Sequence, residues 1–174
     1  LVSHRRMMLE GEAMERGPVT LSWAAIDETP AEQTAHGTCV VIHEFCHKLD
    51  MRNGGADGFP ALPAGFLGMT SSAQARQAWG NTWNTAYEQF RHAITKAERF
   101  GEPAPWLDSY GATAPAEFFA VLSEYFFEAP HWIQEHMPAV FGQLRLFYRQ
   151  DPSRRLPRLP LTVIWPDAVR HAPM

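Results

Sequence analysis

One stretch constrains the chain more than any other: Val41-Ile42-His43-Glu44-Phe45-Cys46-His47-Lys48-Leu49-Asp50. His43 and His47 stand four apart with a glutamate after the first, the H-E-x-x-H spacing that on a helix binds zinc and hydrolyses amides. Successive helical residues turn by about 100°, so the two imidazoles share a face, one turn apart, and reach a single ion. Glu44 stands to the side of that pair. It is placed to act as general base on a metal-bound water rather than as a ligand. Ile42, Phe45 and Leu49 fall roughly opposite the histidines, which predicts an apolar back and a metal-binding front. The plainer alternative is a surface helix whose histidines hold nothing, and the two-faced pattern argues against it.

A catalytic zinc takes three protein ligands and keeps one position for water, so a third ligand must come from elsewhere. Cys46 projects well off the bisector of the histidines and reads as a small side chain packing beside the site. Asp50 lies on the metal face, one turn past His47. It suits a carboxylate orienting a ligand as well as it suits a solvated helix end. The distant candidates lie in Pro115-Ala116-Glu117-Phe118-Phe119-Ala120-Val121-Leu122-Ser123-Glu124-Tyr125-Phe126-Phe127. Glu117, Val121, Glu124 and Glu128 share one face of this strongly apolar helix, and a carboxylate in such a segment must be paired, hydrogen-bonded or bound to metal. Glu117 is the expected third ligand and Glu124 its substitute; an exposed acidic stripe is the alternative.

The 174 residues suit one domain with a sizeable core. At 45% hydrophobic and 12% aromatic the composition is that of an ordinary soluble globular chain. A net charge of -4 and a pI near 6.1 give no support for direct nucleic-acid binding. No apolar run is long enough to span a membrane, and the start shows no signal-peptide pattern. Cys39 and Cys46 are the only cysteines. Seven residues apart on a helix, they would stand about 10 Å from each other, too far to bridge. A cytoplasmic location is therefore the expectation.

Residues 1–16 read as a polar lead-in with a basic cluster at His4-Arg5-Arg6. From Gly17 to Trp23, apolar Val19, Leu21 and Trp23 alternate with small polar residues, which predicts a half-buried strand. Such a strand is either a sheet edge for an extended peptide or an ordinary structural one. Thr29-Pro30-Ala31-Glu32 has capping-box spacing, and Gly37 leaves open whether one helix runs through to Asp50 or a new one begins near Thr38. Arg52 to Gly58 is turn-rich and leaves the metal helix near the cleft. Ser71 or Ser72 caps a helix ending at Gly101, its core stripe Trp79, Trp83, Phe90 and Ile94, with His92 at the surface. Thr113 is the expected N-cap of the Pro115 helix. His131 and His136 read as structural, and Pro138 opens a last helix through Phe141, Leu144, Phe147 and Tyr148. From Asp151 on, Pro and Arg dominate, which predicts an extended or mobile tail.

With His43 to Asp50, Met51-Arg52-Asn53-Gly54, Pro115-Ala116-Glu117, Gly17-Pro18-Val19 through Ser22-Trp23, Ala120 to Phe127, and Phe147-Tyr148-Arg149-Gln150-Asp151-Pro152 together, the sequence resembles the Mlc titration factor A family of zinc peptidases. The resemblance covers about residues 10–152. It implies one zinc held by His43, His47 and Glu117, and Glu44 activating the water. A tyrosine seven positions before the glutamate ligand, as in the related lethal-factor-type zinc peptidases, matches Tyr110; it would hydrogen-bond the oxyanion. The resemblance further implies a cytoplasmic bacterial protein with aminopeptidase activity. Its family binds and inactivates the glucose repressor Mlc, relieving repression of the glucose phosphotransferase system. Cys46 departs from the small Ala or Val common there. Family members carry about a hundred more residues upstream, so the chain is expected to lack an N-terminal portion.

The expected fold is therefore α+β and mostly helical: a zincin-like metallopeptidase domain over 17–152, with a small sheet beside the H-E-x-x-H helix and a Pro/Arg-rich tail over 153–174. The expected function is peptide hydrolysis with zinc. The competing reading is a module that sequesters a transcription regulator, zinc serving only the fold. A structural zinc is closed by four protein ligands, and three are apparent here, which favours the enzyme.

Overall fold

In a computed structural model, residues 11–14, 17–21 and 39–158 are described. The expectations for His4-Arg5-Arg6, Trp23, the Thr29 capping box and the tail from 159 onward lie outside them. The described chain is mostly helical. Strand β1 (Gly11–Ala13) pairs antiparallel with β2 (Val19–Leu21), Gly11 opposite Leu21 and Ala13 opposite Val19. Val19 and Leu21 are half-buried and Thr20 exposed, the alternation expected of a strand with one covered face. β1 falls within the stretch read as a polar lead-in. Three residues carry no periodicity of their own, and pairing to β2 alone makes them a strand.

Helix α1 (Val40–Asp50) lies against this hairpin. The Lys48 ammonium donates to the carbonyls of Met14 and Gly17, the latter at 2.9 Å, and so ties the hairpin's connection to the helix. A long helix, α2 (Ser72–Phe100), follows. Ser71 holds the N-cap position without a capping hydrogen bond from its side chain, and Gly101 closes the helix at φ +70°, where a side chain would be strained. The expected stripe is the core: Trp79 stacks on Trp83 with ring centroids 4.6 Å apart, and both pack on Phe119.

Helix α3 (Pro115–Glu128) is buried along almost its whole length, Ala116 and Phe118 through Phe126 all lying in the interior. Its N-cap is Ala114, not Thr113. The ring of Pro115 forces the preceding residue into extended backbone, φ -153° and ψ 156°, which places the helix start there. The Thr113 hydroxyl instead donates to the Tyr110 carbonyl at 2.7 Å. Two shorter helices, α4 (Pro130–His136) and α5 (Pro138–Tyr148), complete the order. The segment after Asp151 is not extended as far as it is described. It forms a 3-10 turn (Pro152–Arg154), and Arg145 and Arg154 hold the Asp151 carboxylate at 3.1 and 3.2 Å.

A buried chain of hydrogen bonds crosses three helices. The Cys46 thiol lies 3.3 Å from the Tyr148 hydroxyl, Tyr148 donates to Ser123 at 2.8 Å, and Ser123 donates to the Phe119 carbonyl at 2.7 Å. It links α1, α5 and α3, and each hydroxyl both accepts and donates, so none is left unpaired in the interior.

Candidate metal centre

The inward side of α1 is not the one its pattern predicts. Its buried residues are Glu44, Cys46, His47 and Asp50, whereas Phe45, expected on an apolar back, is 56% exposed. The helix turns its polar face to α3 because α3 supplies carboxylates there. A buried imidazole is costly alone and tolerable once hydrogen-bonded or paired.

Two glutamates of α3 meet the two nitrogens of one ring. Glu117 Oε2 lies 2.9 Å from His43 Nε2, and Glu124 Oε1 lies 2.6 Å from His43 Nδ1. Seven residues apart, their Cα atoms stand about 10 Å apart along the helix axis, and the two side chains converge on His43 from opposite sides of its ring. Glu124, kept as a substitute ligand, instead faces the far side of His43. Their common face at two-turn spacing marked both as candidates and left open how they divide between the two nitrogens.

His47 Nε2 closes a triangle, 3.1 Å from His43 Nε2 and 3.3 Å from Glu117 Oε2. A tetrahedral ion with bonds of about 2.0–2.2 Å holds its donors about 3.3–3.6 Å apart. The three atoms are thus spaced slightly inside the edges of such a tetrahedron, and two imidazoles with a carboxylate are a zinc-type donor set. Among the described residues, His43, His47 and Glu117 are the group able to hold a metal ion.

The electrostatics follow from the same contacts. Burial alone would lower the His43 imidazole, but Glu117 and Glu124 outweigh it and hold its pKa at about 10. Burial pushes Glu117 up, and its bonds to His43 and His47 more than offset this, leaving it at about 2. Glu124 is dominated by burial, which lifts it to about 7 despite its bond to His43. Without an ion, then, a proton on His43 takes the place of positive charge between two carboxylates.

Tyr110 sits in the 3-10 turn Ser109–Ala112, its ring centroid 5.9 Å from that of His43 and half its surface exposed. Asp108 accepts from its backbone N–H at 2.9 Å and Thr113 binds its carbonyl, so the turn is gripped on both sides. Burial, then the negative charges of Glu117 and Glu44, raise its hydroxyl above the usual phenol value.

Cys46 is 2% exposed, and burial pushes its thiol up to about 11. It is a neutral packing group held by Tyr148. Asp50, left open between two readings, is fully buried, burial lifting its carboxyl to about 6. His131 binds the Leu156 carbonyl at 2.9 Å, and His136 stacks on Trp106 and Trp132.

Residues 1–149 match the family described as glucose-regulated metallo-peptidase M90. The chain is 39% identical over 160 residues to a Mlc titration factor A from Serratia proteamaculans, covering 91% of this chain and 55% of that protein. It is also 39% identical over 157 residues to proteins of the same name from Salmonella paratyphi B and Salmonella typhimurium, covering 90% of this chain and 54% of each relative. The chain thus spans about half the length of the relatives it matches.

Proposed function

Because the chain belongs to the M90 family of glucose-regulated metallopeptidases, we propose that it is a zinc-dependent peptidase of the aminopeptidase type, with a zincin-like domain over residues 17–152. The observation that carries this reading is the triangle of His43 Nε2, His47 Nε2 and Glu117 Oε2, with sides of 2.9 to 3.3 Å. These three residues would hold the ion. Zinc, when bound, would polarise the scissile carbonyl and make water a better nucleophile.

The rest of the work belongs to side chains of this protein. Glu44 takes the proton of the attacking water and hands it to the leaving amine. Tyr110 donates its hydroxyl hydrogen to the oxyanion, and its elevated pKa keeps that hydrogen in place at neutral pH. Glu124 accepts from His43 Nδ1, which leaves the Nε2 lone pair for the ion. No described helix is long and apolar enough to cross a membrane, in keeping with the proposal of a cytoplasmic enzyme.

The test is hydrolysis of chromogenic peptides with free and blocked N-termini, with and without a chelator. Chelator-sensitive cleavage of the unblocked set is expected. Cleavage indifferent to chelator, or none after zinc loading, would overturn the reading. A second reading is favoured by the relatives' name, Mlc titration factor A: the chain binds Mlc, and by the family resemblance that binding would regulate the glucose phosphotransferase system. Co-purification of Mlc with the zinc-free protein would support a binding role independent of catalysis.

A further inference from the structure

The turn that follows α1 gathers three separate interactions on one residue. The Gly58 N–H donates to Asp50 Oδ2 at 2.7 Å, and the Gly58 carbonyl accepts from Trp79 Nε1 at 2.9 Å. Its bare Cα is the third. A Cβ at Gly58 would stand 2.7 Å from the Pro115 carbonyl oxygen, a backbone atom that cannot swing aside. The residue also holds φ +78°, a conformation in which an L side chain is strained. Two independent constraints thus demand glycine.

The three neighbours matter for where they lie. Asp50 ends α1, three residues past His47, and is 0% exposed. Its second oxygen, Oδ1, and His47 Nδ1 are both buried without a hydrogen-bond partner, an acceptor and a donor left within one turn of helix. Pro115 opens α3 two residues before Glu117. Trp79 is a fully buried core residue of α2. Gly58 therefore touches the end of the helix bearing two of the triangle's corners, the start of the helix bearing the third, and the core that anchors both.

We propose that Gly58, acting with Asp50, is a positioning residue for the metal centre, setting the distance between the end of α1 and the first turn of α3. This rests on reading His43, His47 and Glu117 as a zinc site. The two helices come from distant parts of the chain, and a triangle of donors tolerates little displacement. A shift of a few tenths of an ångström at Pro115 is passed to Glu117 through half a turn of rigid helix, and loss of the Asp50 anchor frees the His47 end.

The test compares zinc affinity, by competition with a chromogenic chelator, and the visible absorption of the cobalt-substituted protein. Gly58→Ala and Asp50→Ala are each expected to weaken zinc binding roughly 10–100-fold and to alter the cobalt spectrum. Gly65→Ala is the control: that glycine has φ +72° but nothing within 4 Å of a Cβ, so it imposes backbone strain away from the site. It should leave both readings at wild-type values, and an equal loss there would overturn the proposal. So would a folded Gly58→Ala protein with wild-type affinity and spectrum; if that variant does not fold, the same result from Asp50→Ala decides. Wild-type protein that takes up no zinc would overturn the functional reading itself, and the inference with it.

Discussion

Glu124 and His43 are joined at 2.6 Å although 81 positions separate them in the chain, and the bond is made at Nδ1, the nitrogen turned away from Glu117. One ring is thus held from both sides by one helix. With an ion bound, Glu124 would keep the hydrogen on Nδ1 and leave the Nε2 lone pair to the metal.

Removing that support should cost metal rather than fold. Glu124→Ala is expected to weaken zinc binding roughly 10–100-fold, and Glu124→Gln less, because its amide oxygen can still accept from Nδ1. Chelator competition measures both, and wild-type affinity in the alanine variant would exclude the role.

The ligand and the base separate in a pair of variants. Glu117→Ala should lose zinc, read directly as metal content after dialysis. Glu44→Gln should keep zinc and lose hydrolysis by about 10²–10⁴-fold. An active, metal-loaded Glu44→Gln protein would remove Glu44 from the chemistry.

For Tyr110→Phe the expected change is in kcat, lower by about 10²–10³-fold, with KM and zinc content near wild type. A rise in KM alone would make Tyr110 a substrate contact instead.

Proton uptake at His43 dictates a pH dependence. Its pKa in the folded, metal-free protein is raised to about 10, so the stability it contributes is complete below its unfolded value near 6.5 and is lost as pH rises through 10. Asp50 and Glu124, raised to about 6 and about 7, act with the same sign at lower pH. Glu117, lowered to about 2, acts oppositely, its contribution present above 4.5 and lost as pH falls through 2. The metal-free protein should therefore melt at a higher temperature at pH 6 than at pH 9, by scanning calorimetry. Zinc must displace the His43 proton, so calorimetric titration in buffers of differing ionisation heat should show proton release on binding at neutral pH.

Tyr148→Phe leaves the Ser123 hydroxyl and the Cys46 thiol without their shared partner and should cost about 1–3 kcal/mol in urea unfolding. Cys46, buried and neutral, should resist a thiol reagent that modifies Cys39 in the folded protein; both should react in denaturant.

What the sequence alone makes legible is local. The four-residue spacing of His43 and His47 places both on one helical face wherever the helix packs. Likewise the Trp79, Trp83 and Phe90 stripe, Gly101 and the prolines at 115 and 138 mark their helices through backbone geometry alone. A donor for the third corner was legible too, because a glutamate amid Phe118 and Phe119 needs a partner.

Which glutamate meets which nitrogen was not written in any local pattern. Neither was the exposure of Phe45, nor the placement of Gly58 against Pro115. Each depends on how α1 and α3 pack, with 74 positions between His43 and Glu117. The sequence by itself determined the helices, through the 3.6-residue period of the backbone, and the kinds of atoms available to a metal. Tertiary structure alone decided which face of α1 turned inward and which carboxylate faced which nitrogen, because those relations are set by side chains meeting across the core and have no counterpart in neighbouring residues.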